Sequence, residues 1–158
     1  MKKEKKQEFT LRISKANKTQ LVVILYDMVL EYLKDSLESL EKEDYKEFKW
    51  NIERAKDCID ELLNSLHLEY EIAGILRGLY FFYKRELSTA AITGHKEKVL
   101  PVMEMIQELK ESYEKVSMED TSAPIMENTQ TIYAGLTYGK DSLNVSLSDQ
   151  GTNRGICI

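Results

Sequence analysis

The chain has 158 residues, is 42% hydrophobic and 31% charged, and carries a formal net charge of −5 with a pI near 5.2. That is enough for one domain with its own core and too apolar for a disordered protein. The acidic balance leaves no electrostatic footprint for nucleic acid or an anionic membrane, and Cys58 and Cys157 form neither a metal spacing nor a disulfide framework.

The opening Met-Lys-Lys-Glu-Lys-Lys is basic but diluted by acid, which predicts a solvated tail. It differs from a secretory leader, because the apolar run begins too late, contains Asp27 and lacks a small-residue cleavage site. The run is also well short of the ~20 residues needed to span a bilayer. A cytoplasmic protein without membrane insertion is expected. Residues 9–13, Phe-Thr-Leu-Arg-Ile, alternate apolar and polar, the period of an extended segment with Phe9, Leu11 and Ile13 on one surface. Five residues make no sheet alone, so this segment either docks in a groove or hangs free.

Ser14, Asn17 and Thr19 are N-cap candidates for a first helix running to about Lys42. Its main stripe is Val22, Leu25, Val29, Leu33 (or Tyr32), Leu37 and Leu40. From Leu21 to Leu30 every residue but Asp27 is apolar or aromatic, so a second face, Leu21, Ile24 and Met28, also needs cover. Asp27 has two readings: a carboxylate reaching water, or a fixed acceptor for a tyrosine hydroxyl, lysine or arginine.

Glu43-Asp44 is a tight connection, with Asp44 capping a second helix over about 45–67. Tyr45, Phe48, Ile52, Ala55, Ile59, Leu62 and Leu66 recur at 3-4 spacing, the seam of near-parallel helix packing. Trp50 lies off that seam, as a rim residue or a contact residue. The third helix, about 69–93, is apolar over a wide arc, densest at Leu79-Tyr80-Phe81-Phe82-Tyr83, and Gly94 suits its C-terminal cap. The fourth, about 96–118, repeats Val99, Val102, Ile106, Leu109, Tyr113 and Val116; Pro101 either starts it near Leu100 or kinks its beginning. Short connections between these helices predict an all-α, antiparallel up-down four-helix bundle. After Asp120 the periodicity stops. Gly135, Gly139, Gly151 and Gly155 fall there, and the segment 119–158 reads as a poorly structured tail. Its one apolar cluster, Ile132, Tyr133, Leu136 and Tyr138, is either inert or a docking motif.

No catalytic constellation emerges. A di-iron bundle needs Glu-x-x-His pairs, but the residues three before His67 and His95 are Asn64 and Ile92. No phosphate-binding glycine loop precedes a helix. The expectation is no enzyme, no metal and no cofactor.

The order of three segments carries a resemblance. Leu25-Tyr26-Asp27 lies in a leucine-rich helix, Ala55, Ile59, Leu62 and Ser65-Leu66 in the next, and Leu79-Tyr80, Tyr83, Leu87 and Ala90 in the third. In these residues, over about 9–117, the chain resembles the flagellar secretion chaperone family (FliS). It departs from that family's usual pattern with Phe9 in place of a tyrosine, Met28 after the Leu-Tyr-Asp motif, and Ser112-Tyr113 near the end of the fourth helix. The resemblance implies a cytoplasmic, non-enzymatic chaperone that binds the C-terminal segment of flagellin, prevents premature polymerisation and delivers it to the export apparatus. The cytoplasmic domain of the flagellar export gate would be a further partner.

A binder of amphipathic helices needs apolar grooves on a soluble body, and the broad faces of the first and third helices supply them. The expected client groove comprises Leu21, Ile24, Met28, Ile75, Leu79, Tyr80 and Tyr83, with Phe9, Leu11 and Ile13 as an N-terminal cap and Tyr26 and Asp27 as the family mark. The expected division is 1–18 as covering segment, 19–118 as chaperone domain and 119–158 as tail. The alternative is a self-associating structural bundle without a secretion client; a weak homodimer fits either reading.

Overall fold

A computed structural model of the protein describes residues 1–126. The apolar cluster at 132–138 and Cys157 lie outside the described residues. Five α-helices follow one another: α1 Lys3–Lys15, α2 Lys18–Glu41, α3 Tyr45–Asn64, α4 Glu71–Thr93 and α5 Leu100–Glu119, with a 3-10 turn at Lys96–Lys98 before α5. The described residues contain no strand.

The N-terminal segment corrects the sequence reading. Residues 9–13 are not extended but form the second half of α1, and the basic opening supplies its first turns. Five alternating residues fit a strand and a helix almost equally, whereas Lys, Glu and Gln over residues 3–8 favour helix and support each other at i,i+3 spacing, as Lys5 Nζ does with Glu8 Oε2 at 3.0 Å. Helical geometry puts Phe9 and Ile13 on one face and turns Leu11 away. Phe9 is 3% exposed and Leu11 57%.

Asn17 separates α1 from α2 with a reciprocal cap. Its side chain accepts from the Gln20 N–H at 2.9 Å, and its own N–H donates to Gln20 Oε1 at 3.0 Å. Ala16 and Asn17 are both extended, so α1 folds back along α2. Two chain-distant pairs mark its path: Arg12 reaches Asp27, and the Met1 amino group lies 2.5 Å from Asp35.

The main core draws on the other four helices: Tyr26, Val29 and Leu33 of α2, Phe48, Ile52, Ile59 and Leu62 of α3, Tyr80, Tyr83 and Leu87 of α4, and Val102 and Ile106 of α5. The α3 seam is buried as its spacing predicts, except that Tyr45 at its start is exposed and Leu66, past the helix end, is only partly buried. In α2 the buried arc is broader than one stripe, because α3 and α5 both pack on it. Tyr26 and Ser36 join the core, while Leu37 and Leu40 sit at its edge. Gly94 ends α4 at φ 70°, a left-handed position where a Cβ is costly, and Pro101 falls in the first turn of α5, where no hydrogen bond is lost.

The chain beyond α5 returns to the α1–α2 joint. Asn17 Nδ2 donates to the carbonyls of Asp120 and Ser122 at 3.2 and 3.4 Å, the Ile125 N–H donates to the Ala16 carbonyl at 3.0 Å, and the Thr19 hydroxyl donates to the Asp120 carboxylate.

Candidate functional site

The second face of α2 lies under α1. Phe9 and Ala16 form a small core with Ile24, and Ile13, Leu21 and Met28 pack around it. Ile24 is 4% exposed, so the middle of this face is sealed, while Leu21 and Met28 on either side of it are only half-buried. Beside them a cavity of about 540 Å³ opens between α1, α2 and α3. Ile13, Leu21, Leu25 and Met28 line its apolar wall, and the α3 wall is polar, with Arg54, Asp57 and Glu61 around Cys58. A groove with one greasy and one charged wall suits an amphipathic segment. Burial pushes the Cys58 thiol up to about 11, so it stays largely protonated and reacts slowly at neutral pH.

Asp27 stands at the edge of this covered face. Its Oδ2 accepts from Arg12 Nη2 of α1 at 2.6 Å, and its Oδ1 is 2.7 Å from Lys110 Nζ of α5. One carboxylate therefore ties three helices, and its hydrogen bond raises the Lys110 pKa above the ordinary lysine range. Of the two readings of Asp27, the fixed acceptor is the one observed. Arg12 also lies 5.4 Å from the centre of the Phe9 ring, so anchor and cation form one packed unit.

Tyr26 points the other way, into the main core. Its hydroxyl lies 2.5 Å from that of Tyr80, and its ring meets Tyr113 edge-on at 5.7 Å. Burial, then the neighbouring Tyr80, raises the Tyr26 pKa far above the phenol range; burial also raises that of Tyr80.

The predicted groove residues separate into three groups. Leu21, Ile24 and Met28 share the α2 face beneath α1. Ile75 and Leu79 lie on α4, a helix packed chiefly on α3, with Ile75 58% exposed and Leu79 half-buried. Tyr80 and Tyr83 are 1% exposed and belong to the core. Trp50, 42% exposed, sits edge-on to Tyr32 with Lys6 of α1 and Arg54 of α3 over its ring, at the rim of the α1 contact. Sequence reasoning missed Arg12, Lys110 and Asn17's second role. The signal for Arg12 was its place between Phe9 and Ile13 on a helical repeat, hidden by the extended reading. Lys110 carried no local signal, since only packing brings it to Asp27.

Among the described residues no cluster of histidine, cysteine and carboxylates could hold a metal ion, and no helix is long and apolar enough to cross a membrane. No match is found among curated proteins. The profile described as flagellar protein FliS matches residues 1–120, which takes in all five helices and the Asp27 tie. The chain therefore belongs to the FliS family, the flagellar export chaperones.

Proposed function

We propose that the protein is a cytoplasmic chaperone for flagellin: it binds the C-terminal segment, prevents premature polymerisation and delivers the client to the export apparatus through the cytoplasmic domain of the export gate. The carrying observation is that an amphipathic helix, α1, lies on the α2 face. Leu21, Ile24 and Met28 thus form a seat that accepts a helix from the same chain, and flagellin's C-terminal segment would take that seat as a helix in a groove. Phe9 and Ile13 act as the removable cover, while Leu11 stays outside it.

The exposed Ile75 and half-buried Leu79 of α4 offer a second apolar stretch for an extended client. We read α2–α5 as an antiparallel up-down four-helix bundle, because three to six residues join each helix to the next. The covering segment spans residues 1–18, the chaperone domain 19–118 and the tail 119–158.

Co-purification with flagellin that keeps or lacks its C-terminal ~40 residues tests this reading; that length, at ~1.5 Å of rise per residue, covers the bundle. Binding only with the segment present is expected, and binding that survives the deletion overturns it. A stable dimer without affinity for the flagellin segment would support the self-associating bundle instead.

A further inference from the structure

The contact between α1 and α2 is more specific than an apolar cover requires. Phe9 fills the space over Ile24, and three residues later Arg12 donates to Asp27 Oδ2 at 2.6 Å. The other oxygen, Oδ1, belongs to Lys110 at 2.7 Å. When α1 leaves, Lys110 keeps the carboxylate oriented, and Oδ2 is left facing the vacated seat. The Asp27 side chain is 19% exposed, so a wholly apolar occupant would remove much of the remaining water from Oδ2 without replacing its donor. Burying a charged acceptor without a partner is costly, so this position discriminates against such an occupant as well as favouring a matching one.

We propose that Asp27 selects the occupant of the α2 face by charge. The segment replacing α1 is an amphipathic helix bearing arginine or lysine three residues after one apolar anchor and one residue before the next, the register of Phe9, Arg12 and Ile13. This rests on the reading that a client displaces α1, and it adds the chemistry that the client must bring. Arg12 is then an internal competitor for the same carboxylate.

The probe is a synthetic peptide of the flagellin C-terminal ~40 residues, with each lysine and arginine changed to glutamine in turn. Binding is measured on the full chain, on Arg12→Gln and on Asp27→Asn. One peptide position is expected to lose about three- to ten-fold in affinity on the wild-type chain and little on Asp27→Asn. Arg12→Gln should bind the unaltered peptide more tightly by a similar factor and speed alkylation of Cys58, which lines the cavity beside Ile13.

If no basic position matters, or if the loss is undiminished on Asp27→Asn, charge selection is overturned, while tighter binding by Arg12→Gln still supports displacement of α1. If Arg12→Gln changes neither affinity nor Cys58 alkylation, the displacement reading itself fails. Should Asp27→Asn not fold, the peptide series on the wild-type chain at about 0.05 M and about 0.5 M salt decides: a loss at one position that shrinks with salt supports the proposal, and a loss indifferent to salt overturns it.

Discussion

Tyr26 and Tyr80 bring two hydroxyls together at 2.5 Å in a core where each is no more than 1% exposed, so each hydroxyl is the other's partner. Removing one leaves the other buried with a lost partner, which costs about 1–3 kcal/mol, whereas removing both abolishes the need as well as the bond. Tyr26→Phe and Tyr80→Phe should therefore each lower stability in urea unfolding by about that amount, and the double variant by less than the sum. Strict additivity would show that the hydroxyls do not depend on each other. Asn51 differs: it is 1% exposed, its Nδ2 lies 3.5 Å from Ser39 Oγ, and its Oδ1 has no hydrogen-bond partner among the described residues. It fixes the facing of α2 and α3 only weakly.

At the scale of elements, the α1–α2 joint concentrates several duties on Asn17: it caps α2 through its oxygen and holds the returning chain through its nitrogen. Asn17→Ala removes both and should cost about 1–2 kcal/mol, read as a lower urea midpoint. Asn17→Asp keeps a capping oxygen and loses the donors, so it should fall between Ala and the wild type; equal loss in both variants would mean that the cap contributes nothing. The carboxylate beside this joint, Asp120, is held near a pKa of about 2 by hydrogen bonds from Ser122 and then Thr19, so it stays ionised as their acceptor at neutral pH. The α1 helix docks mainly through Phe9. Full burial of such a side chain stabilises by about 1.5–3 kcal/mol, so Phe9→Ala should free α1 and raise binding of a hydrophobic dye without unfolding the main core. Unchanged dye binding would mean that α1 stays seated without its anchor.

For the whole molecule, the shifts of Tyr26, Tyr80, Tyr83 and Tyr113 share one sign, upward from an ordinary value of 10.0, with burial as the leading cause. The unfolded chain ionises these phenols near pH 10 while the folded chain keeps them neutral. Their contribution is therefore complete below pH 10 and is lost as pH rises through the folded values. Lys110, also raised, contributes in the same direction: its charged form is favoured in the fold, and that advantage disappears as it deprotonates. Cys58, raised by burial from 9.0 to about 11, adds a loss that begins near pH 9. Stability should therefore hold from neutral pH to about 9, decline, and fall steeply above about 10. A thermal midpoint that stays level to about pH 12 would contradict the burial of these tyrosines.

The sequence by itself determined the all-helical class, the cores of α2 to α5 and their order, because 3.6-residue periodicity over some twenty residues has no competing interpretation. Phe48, Ile52, Ile59 and Leu62 are buried as their spacing requires. It also showed that Leu21, Ile24 and Met28 form a face in excess of the core's needs. The tertiary structure decided what lies on that face. In residues 9–13 a short alternation fitted two periods, and only packing against Ile24 shows which one places Phe9 inside and Leu11 outside. It alone decided the partners of Asp27, since Arg12 and Lys110 lie fifteen residues before it and eighty-three after it, and no local pattern encodes a meeting of three helices at one carboxylate.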